Sequence, residues 1–443
     1  MPGLTQQLAE FIAGLEFAQL PAEAVATVKR GTMDCVGVLF AGRGEPVVRI
    51  LLKHLSAGNE ASVLFESRKA SSEHAALINA AAAHALDYDD TGLDGHPSVV
   101  LVPTLLAEGE RLGAPGRELI AAYVAGYETW AELISRDADK HHGKGWHPSA
   151  VFGPVAAAAA AARLARLDAG MTANAIAMAA SMGGGLVANF GSMTKPFQVG
   201  RAAQSGIQAA RLAAAGMSAS PDALEHPGGF LAALSPKGSV RLDGNMGKWH
   251  ILRHGLSIKR YPVCYALHRA IDAALELASR PELVADRISG IEVTLGRHQA
   301  AMLRHHAPQK ALDAKFSAEF AMAAALFARR VGLAELSDTF VRSEPIQSLM
   351  PKVRVVSVDA ADPEEPLFSP FDTVRVTLTD GGVLASERVH HAKGHAKNPL
   401  DLDELRAKFN DCIADALSAA RRNTLFNRLN TLESLPGVAE LYE

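Results

Sequence analysis

Apolar residues along the first half of the chain recur with the period of an α-helix. After Pro21, residues such as Val25 and Leu39 keep that spacing until Gly42, the pattern of a helix that begins near a proline and ends at a glycine. Residues 1 to about 255 therefore read as one helix after another. We predict further helices over 47–56, 73–86, 98–112, 117–136, 149–167, 172–186 and 200–216.

Alanine dominates the middle of this region, most clearly in the run from Ala156 to Ala162. Small side chains on several faces of a helix let neighbouring helices approach closely. We interpret these alanines as packing residues of a buried bundle, with no chemical role.

The pattern changes after about residue 256, where alternation of β-branched and polar residues sets in. This alternation predicts strands in the segments that begin at Ile288, Val353 and Thr373, and the sequence Asp-Gly-Gly at 380–382 predicts a hairpin turn after the last of them. Helices are predicted around these strands, over 266–279 and 316–330, and again from Pro399 onward.

These elements predict a mainly α fold in two domains. The larger is all-helical and takes 1–258 together with 397–443. The smaller is an α+β lid over 259–396, placed in the chain before the C-terminal helical tail.

Polar residues interrupt the predicted helices at three places. The first is His84-Ala-Leu-Asp-Tyr-Asp-Asp-Thr91 with His96-Pro-Ser98, the second Gly145-Trp-His-Pro-Ser149, and the third Gly191-Ser-Met-Thr-Lys-Pro196. Because the same residue types recur at helix breaks, we expect one polar pocket within the helical body. Its candidate catalytic residues are Asp87, Thr91, His96, His147 and Lys195.

Each of these segments also has a purely structural interpretation. Three acids within four residues at 87–90 repel one another unless they are solvated, paired with cations or bound to a metal. Each His-Pro-Ser segment precedes a helix and could be only a capping turn. Lys195 is predicted in a turn between two helices, where it could bind an anion or move a proton.

A further polar segment lies where the helical half gives way to the mixed half. Lys259 and Arg260 suit carboxylate binding, or form a solvated basic turn. Cys264 is either an acid/base group or an ordinary core thiol. His268 is predicted one helical turn beyond it, on the same face.

Composition narrows the classes of partner and compartment. The net charge of −4 over 443 residues provides no basic field for nucleic acid or a membrane surface. Three widely spaced cysteines form no CxxC pair, which argues against a disulfide framework and favours a reducing cytoplasm. The chain starts without a signal-peptide pattern and has no apolar run long enough to span a bilayer.

Cofactor motifs are absent as well. The sequence has no GxGxxG after a strand and no GxxxxGK[ST], so a nucleotide cofactor is unsupported. A metal site could be assembled from Asp87, Asp89, His96 and His147, but their spacing does not demand one. We predict neither a metal nor a cofactor.

Taken together, the motifs resemble the MmgE/PrpD family, which contains 2-methylcitrate dehydratase, cis-aconitate decarboxylase and iminodisuccinate epimerase. The resemblance runs nearly end to end and also includes Asn189-Phe-Gly-Ser-Met-Thr-Lys-Pro196, Lys259-Arg-Tyr-Pro262 and Lys315-Phe-Ser317. It implies a homodimer that needs no metal, iron–sulfur cluster or nucleotide and acts on small di- or tricarboxylates. The residues that match the family's site are Asp87, Thr91, His96, His147, Lys195 and Lys259.

Three positions depart from the family's patterns. Cys264 stands where the decarboxylase has a histidine, Phe320 where it has a tyrosine, and Gln198 where relatives often have a histidine. Losing a phenol removes a proton donor, so decarboxylation is the least favoured of the three activities. We expect a dehydratase-type lyase acting on a substrate such as 2-methylcitrate, with an epimerase as the alternative.

The shared chemistry is proton abstraction next to a carboxylate, which needs a base and cations. We assign the cations to Lys195, Lys259 and Arg260, further substrate contacts to Gln198 and His268, and the base to His147 or His96. Asp87 and Thr91 would orient the substrate or shuttle protons, and Cys264 would serve the second face in an epimerase. Outside this class, a metal-dependent hydrolase and a non-catalytic helical scaffold remain alternatives.

Overall fold

The chain divides into two compact units in a computed structural model that describes residues 2–136, 141–234 and 248–441. Unit 1 comprises Met1–Ser257 and Leu402–Glu443, and unit 2 comprises Ile258–Asp401. Most of the regular structure in the described residues is helical, with a few short strands. The predicted mainly α class is confirmed.

Unit 1 is built mainly from helices. Before unit 2 these are α1 (Leu4–Gly14), α2 (Ala22–Gly42), α3 (Pro46–His54), α4 (Ser72–His84), α5 (Pro97–Leu112), α6 (Gly116–Arg136), α7 (Pro148–Val151), α8 (Gly153–Leu164), α9 (Ala169–Ala180), α10 (Thr194–Ala214), α11 (Phe230–Leu234) and α12 (His250–His254). A short antiparallel pair, β1 (Ala61–Ser62) and β2 (Lys69–Ala70), precedes α4. Ser71 caps α4 by accepting a hydrogen bond from the backbone of His74, as its sequence position predicts.

The alanine-rich helix α8 packs against α6 and α10. Its residues Ala156–Ala162 are all buried. A methyl group added to Gly126 of α6 would lie 2.8 Å from the carbonyl oxygen of Ala156, and one on Gly206 of α10 would lie 2.2 Å from the Cβ of Ala157. The helices therefore meet at backbone distance, which confirms that these alanines are packing residues.

Two predicted helices are shorter than their patterns indicate. The helix predicted over 149–167 breaks at Phe152 into α7 and α8, because Pro154 has no N–H to continue the ladder. The carbonyl of Ala150 accepts instead from Gly184, at 3.0 Å. The helix predicted over 172–186 ends at Ala180, ahead of the glycines at 183–185, which are poor helix formers.

The prediction that Lys195 lies in a turn is wrong. Helix α10 begins at Thr194, six residues earlier than predicted, so Lys195 occupies its first turn. Pro196 is compatible with this position because the first backbone N–H groups of a helix have no partner within it.

Unit 2 combines a four-stranded sheet with helices. Its elements are α13 (His268–Ala278), β3 (Ile288–Gly296), α14 (Arg297–Met302), α15 (Ala311–Ala314), α16 (Ala318–Ala328), α17 (Asp338–Val341), α18 (Glu344–Leu349), β4 (Val353–Val358), β5 (Thr373–Leu378) and β6 (Val383–Ala385). The strand order is β4-β3-β5-β6, with β3 and β4 parallel and the other neighbours antiparallel. The three predicted strands and the hairpin are confirmed, and Gly381 supplies the positive φ of 86° that the turn requires.

The C-terminal tail of unit 1 forms α19 (Leu402–Ile413) and α20 (Ala419–Asn430), which both pack on α2. Lys408 of α19 is buried. Its Nζ lies 2.5 Å from Asp34 Oδ1, donates to the carbonyl of Tyr88 at 2.8 Å and lies 4.0 Å from the centre of the Tyr88 ring. One ammonium group thus joins the tail, α2 and the segment between α4 and α5.

Within the described residues, the helices are either too short or too polar to cross a bilayer.

We predict that Lys408→Met destabilises the protein by about 3–5 kcal/mol, because it leaves the buried carboxylate of Asp34 without its cation. The free energy of unfolding from urea titration measures this. The matched control is Lys29→Met, which breaks a more exposed pair between α2 and the tail, 3.0 Å from Lys29 Nζ to Glu433 Oε1, and should cost about 1 kcal/mol or less. Equal losses in the two variants would contradict the prediction.

Candidate active site

Both His-Pro-Ser segments lie at helix starts, as predicted. His96 and His147 occupy the N-cap positions of α5 and α7, yet neither imidazole caps its own helix. The backbone N–H of His96 donates instead to Ser149 Oγ at 3.0 Å, so the two segments contact each other. Each proline stands in the first turn of its helix, and the two imidazoles have partners outside their own helices.

Asp87 pairs with Lys195 at the rim of this polar cluster. Lys195 Nζ lies 3.0 Å from Asp87 Oδ1, and His96 Nε2 lies 3.9 Å from the same oxygen. Asp87 adopts a positive φ of 53°, a conformation that aspartate tolerates better than most residues. The Lys195 ammonium also lies 4.9 Å from the centre of the Phe190 ring. The first turn of α10 adds the partial positive charge of a helix N-terminus to that of the lysine.

Asp89 is fully buried between two imidazoles. Its carboxylate oxygens lie 3.0 and 3.1 Å from His84 Nδ1, and Oδ2 lies 2.8 Å from His96 Nδ1. Burial opposes ionisation, but the electrostatic interactions and hydrogen bonds with the rings of His84 and His96 outweigh it and hold the pKa of Asp89 well below its usual range. This carboxyl is therefore an anion.

Asp90 accepts a hydrogen bond from a hydroxyl group and, among the described residues, does not pair with a cation. Ser98 Oγ donates to Asp90 Oδ2, its backbone N–H lies 3.3 Å from Asp90 Oδ1, and Tyr123 OH lies 2.8 Å from Ser98 Oγ. Burial, reinforced by the charge of Asp34, raises the pKa of Asp90 well above its ordinary value. The three neighbouring acids therefore avoid repulsion in different ways: Asp87 pairs with a cation, Asp89 with two imidazoles and Asp90 with the hydroxyl of Ser98.

His147 is held by Gln198, one turn along α10 from Lys195. Its Nδ1 lies 2.8 Å from Gln198 Oε1, and the Gln198 amide nitrogen donates to the carbonyl of Leu186 at 3.3 Å. An amide oxygen only accepts, so His147 carries its proton on Nδ1. Burial, with the charge of His84 next, lowers the pKa of His147 to about 2. Within the described residues Nε2 has no hydrogen-bond partner, which leaves its lone pair available.

His84, the last residue of α4, was not among the predicted site residues, and Asp89 was named only for a metal site that its spacing does not demand. The His84 ring packs edge-on against His96 at 4.5 Å and nearly parallel to His147 at 6.0 Å. Burial lowers the pKa of His84 to about 4. Both residues stand in the same motif as Asp87, but the sequence does not reveal which of its polar residues turn inward.

Thr91 is hydrogen-bonded to Ser257, the last residue of the first segment of unit 1. Its N–H donates to the carbonyl of Ser257 at 2.8 Å, and the N–H of Ser257 donates back at 2.9 Å. Among the predicted unit 1 residues, the structure brings Asp87, His96 and Lys195 into one cluster, with His147 and Gln198 packed beside it.

The remaining predicted residues belong to unit 2. Lys259 is buried, and Arg260 Nη1 lies 3.8 Å from Asp272 Oδ1. Cys264 precedes a short 3₁₀ turn at Tyr265–Leu267. The prediction that Cys264 and His268 share a helical face is therefore wrong, because α13 begins only at His268.

The His268 ring is fully buried between Tyr261 and Tyr265, with ring centres at 5.2 and 4.9 Å. Cys264 has a half-buried thiol packed against the apolar core of unit 2. The catalytic role of Cys264 and the substrate contact of His268 stay predictions.

One group of described residues has donor atoms close enough to share a metal ion. Nitrogen and oxygen atoms of His84, Asp87, Asp89 and His96 lie within 4.8 Å of one another. The carboxylates of this group already have partners, Asp87 in Lys195 and Asp89 in the two histidines. An ion would have to displace these contacts, and the absence of a metal stays a prediction.

Comparison with known sequences identifies the family. Sequence profiles of the MmgE/PrpD N-terminal and C-terminal domains match residues 6–243 and 261–431. The chain belongs to the MmgE/PrpD family. Its relatives include proteins named cis-aconitate decarboxylase from Mus musculus (28% identical, covering 98% of this chain and 91% of the relative), Homo sapiens (27%, 98% and 93%) and Aspergillus terreus (24%, 100% and 95%).

In this MmgE/PrpD chain, Phe320 lies in α16 with its side chain fully buried. Its ring centre is 6.4 Å from that of Phe340, within the apolar core of unit 2. The side chain of Phe320 therefore serves packing.

The buried histidines of this MmgE/PrpD protein predict acid sensitivity. The pKa values of about 4 for His84 and about 2 for His147 lie below the value of about 6.5 in an unfolded chain. Their neutral forms thus contribute stability that is complete above about pH 6.5 and is lost as the pH falls toward the folded-state pKa. Between about pH 7.5 and about pH 5 the linkage relation gives a loss of about 2 kcal/mol for each histidine.

The variant His147→Gln isolates one of these contributions. We expect the loss of unfolding free energy between the two pH values to shrink by about 2 kcal/mol relative to the parent. Asp34, whose pKa burial raises to about 6, acts in the opposite direction but equally in both proteins. The exposed His226 provides the control His226→Gln. An unchanged pH dependence in His147→Gln would show that this imidazole is not buried in its neutral form.

Proposed function

We propose that this protein is a lyase that acts on a small di- or tricarboxylate by transferring a proton from carbon next to a carboxylate, in a dehydratase-type reaction without metal or cofactor. The observation that carries the proposal is the cluster in which the ammonium group of Lys195, the carboxylate of Asp87 and the imidazole of His96 adjoin, with the imidazole of His147 packed beside them. Membership of the MmgE/PrpD family supports a reaction of this class. The relatives named cis-aconitate decarboxylase support a tricarboxylate substrate.

Lys195 is the cation for a substrate carboxylate. Its ammonium group is largely buried, at the N-terminus of α10, where anions bind favourably. Asp87 holds it at 3.0 Å and is itself 42% exposed, so a substrate carboxylate can approach the pair from solvent. In the enolate-like transition state the added negative charge strengthens this contact, which is the differential binding that catalysis requires.

His96 is the base and His147 is a neutral hydrogen-bond acceptor. The Nδ1 of His96 faces the Asp89 carboxylate, which stabilises an added proton on the ring. The Nδ1 of His147 faces an uncharged amide, and its pKa of about 2 makes it too weak a base to hold a proton at neutral pH. Two histidines in similar sequence motifs thereby take different tasks.

Dehydration and epimerisation share this first proton transfer. In a dehydratase the C–H electron pair becomes a C=C bond as the neighbouring C–O bond breaks, and the leaving hydroxyl takes a proton to form water. In an epimerase a proton returns to the opposite face of the carbon. Cys264, a half-buried thiol, keeps the epimerase as the second candidate. Phe320 has no hydroxyl group that could donate a proton, which keeps decarboxylation the least favoured of the three activities.

Proton NMR in D₂O distinguishes these reactions. EDTA-treated protein is incubated separately with 2-methylcitrate, citrate, cis-aconitate and iminodisuccinate. We expect alkene signals from 2-methylcitrate or citrate together with loss of water. Deuterium entering next to a carboxylate without loss of water would establish the epimerase, and release of CO₂ from cis-aconitate a decarboxylase. If all four compounds stay unchanged, the proposal fails.

Single substitutions test the assigned roles. We expect His96→Asn to lower kcat by about 10²–10⁴-fold, the usual contribution of a general base, and His147→Gln to lower it by no more than about 10-fold. Lys195→Met should reduce kcat/KM by at least about 10²-fold, the scale of one lost charge-stabilising donor. His226→Asn, at an exposed histidine, is the control. A greater loss of kcat in His147→Gln than in His96→Asn would exchange their roles.

A further inference from the structure

Two of the most buried polar residues beside the candidate site have no role in the mechanism above. Asp89 and His84 are 0% and 1% exposed, and burying ionisable groups is costly unless their partners compensate. Each lies within reach of His96, the carboxylate at 2.8 Å and the second ring at 4.5 Å between centres.

We infer that Asp89 is a positioning residue that fixes the tautomer of His96 and stabilises its protonated form, with His84 holding Asp89 in place. This inference rests on the proposed function and deepens it. It concerns residues that touch the base and not the substrate.

The tautomer follows from the acceptors around His96 Nδ1. A carboxylate can only accept hydrogen bonds, so the nitrogen that faces Asp89 Oδ2 at 2.8 Å carries a proton. The carbonyl oxygen of Asp90, 2.9 Å from the same nitrogen, selects the same tautomer. In the neutral ring Nε2 is then the unprotonated atom, and it is Nε2 that lies on the side of Asp87 and Lys195.

Because His84 stays neutral, the negative charge of Asp89 is available to stabilise a positive charge on His96. Burial lowers the pKa of His84 to about 4, so near neutral pH this ring only donates a hydrogen bond from Nδ1. That donation reaches both carboxylate oxygens, at 3.0 and 3.1 Å, which fixes the orientation of the carboxylate. When His96 Nε2 takes the substrate proton, the negative charge that stabilises the new imidazolium is already in place.

The proton balance needs no additional reactant. The substrate C–H bond breaks and an N–H bond forms at His96 Nε2, while the proton on Nδ1 stays in place, facing the Asp90 carbonyl and the Asp89 carboxylate. The same imidazolium then delivers its Nε2 proton to the leaving hydroxyl, and water departs as the C=C bond forms. Asp89 keeps its charge throughout and exchanges no proton with the substrate.

The decisive variant is Asp89→Asn, which removes the charge and keeps the shape. The Asn oxygen and the Asp90 carbonyl can still accept from His96, so the ring should stay in position. We expect kcat to fall by about 10²–10⁴-fold, as for loss of general-base catalysis, with KM changed by less than about 3-fold. The control Asp94→Asn makes the same change at an exposed position of the same loop, where φ is 56°, and should keep kcat within about 2-fold. Unchanged kcat in Asp89→Asn, or a loss carried by KM alone, would overturn the inference.

The tautomer of His96 can also be measured by spectroscopy. This measurement needs neither turnover of a substrate nor a folded variant at position 89. Long-range ¹H–¹⁵N correlation NMR of ¹⁵N-histidine-labelled protein reports which ring nitrogen carries the proton, and loss of one signal set in His96→Asn assigns that ring. We expect the proton on Nδ1 of His96. A proton on Nε2 would overturn the inference even if Asp89→Asn failed to fold. If no polycarboxylate reacted, the proposed function would be contradicted, but the protonated nitrogen of His96 could still be determined.

Discussion

The architecture of unit 1 depends on burying a segment that carries three neighbouring carboxyl groups. Carboxylates that lose water without gaining partners would destabilise the fold by more than most single contacts can restore. The structure meets this constraint by giving each acid a partner from a different element: Lys195 of α10 for Asp87, the histidines for Asp89, and Ser98 of α5 for Asp90. These contacts bind the loop to α4, α5 and α10.

Such a loop needs a rigid frame, and the small residues of the bundle supply it. Where Gly206 of α10 approaches Ala157 of α8, no space remains even for a methyl group. Helices in contact at backbone distance cannot slide to accommodate a misplaced side chain. Helix α10 therefore holds Lys195 in a fixed position beside Asp87 and Gln198 in a fixed position beside His147.

Much of this was accessible from the sequence. Helical spacing, the alternation in the strands and the repeated His-Pro-Ser segments predicted the fold class, the sheet of unit 2 and most residues of the cluster. Position within a helix was harder, because Pro196 reads equally as a break or as part of a first turn, and the turn predicted for Lys195 was wrong. His84 and Asp89 were not predicted to support catalysis, for a different reason. Burial is a property of the folded chain, and in a motif where most residues are polar no local pattern marks those that turn inward.

The position of Lys408 along the chain has a consequence for biosynthesis. This lysine neutralises Asp34 and holds the backbone of Tyr88, between two site acids, but it follows all of unit 2 in sequence. The ribosome must therefore synthesise the whole of Ile258–Asp401 before Lys408 is available. Lys408 follows Tyr88 by 320 positions, so Asp34 lacks its cation until the tail has been made. Until then the N-terminal helices hold an uncompensated carboxylate in their interior, so the nascent bundle is expected to stay open and within reach of chaperones until synthesis is almost complete.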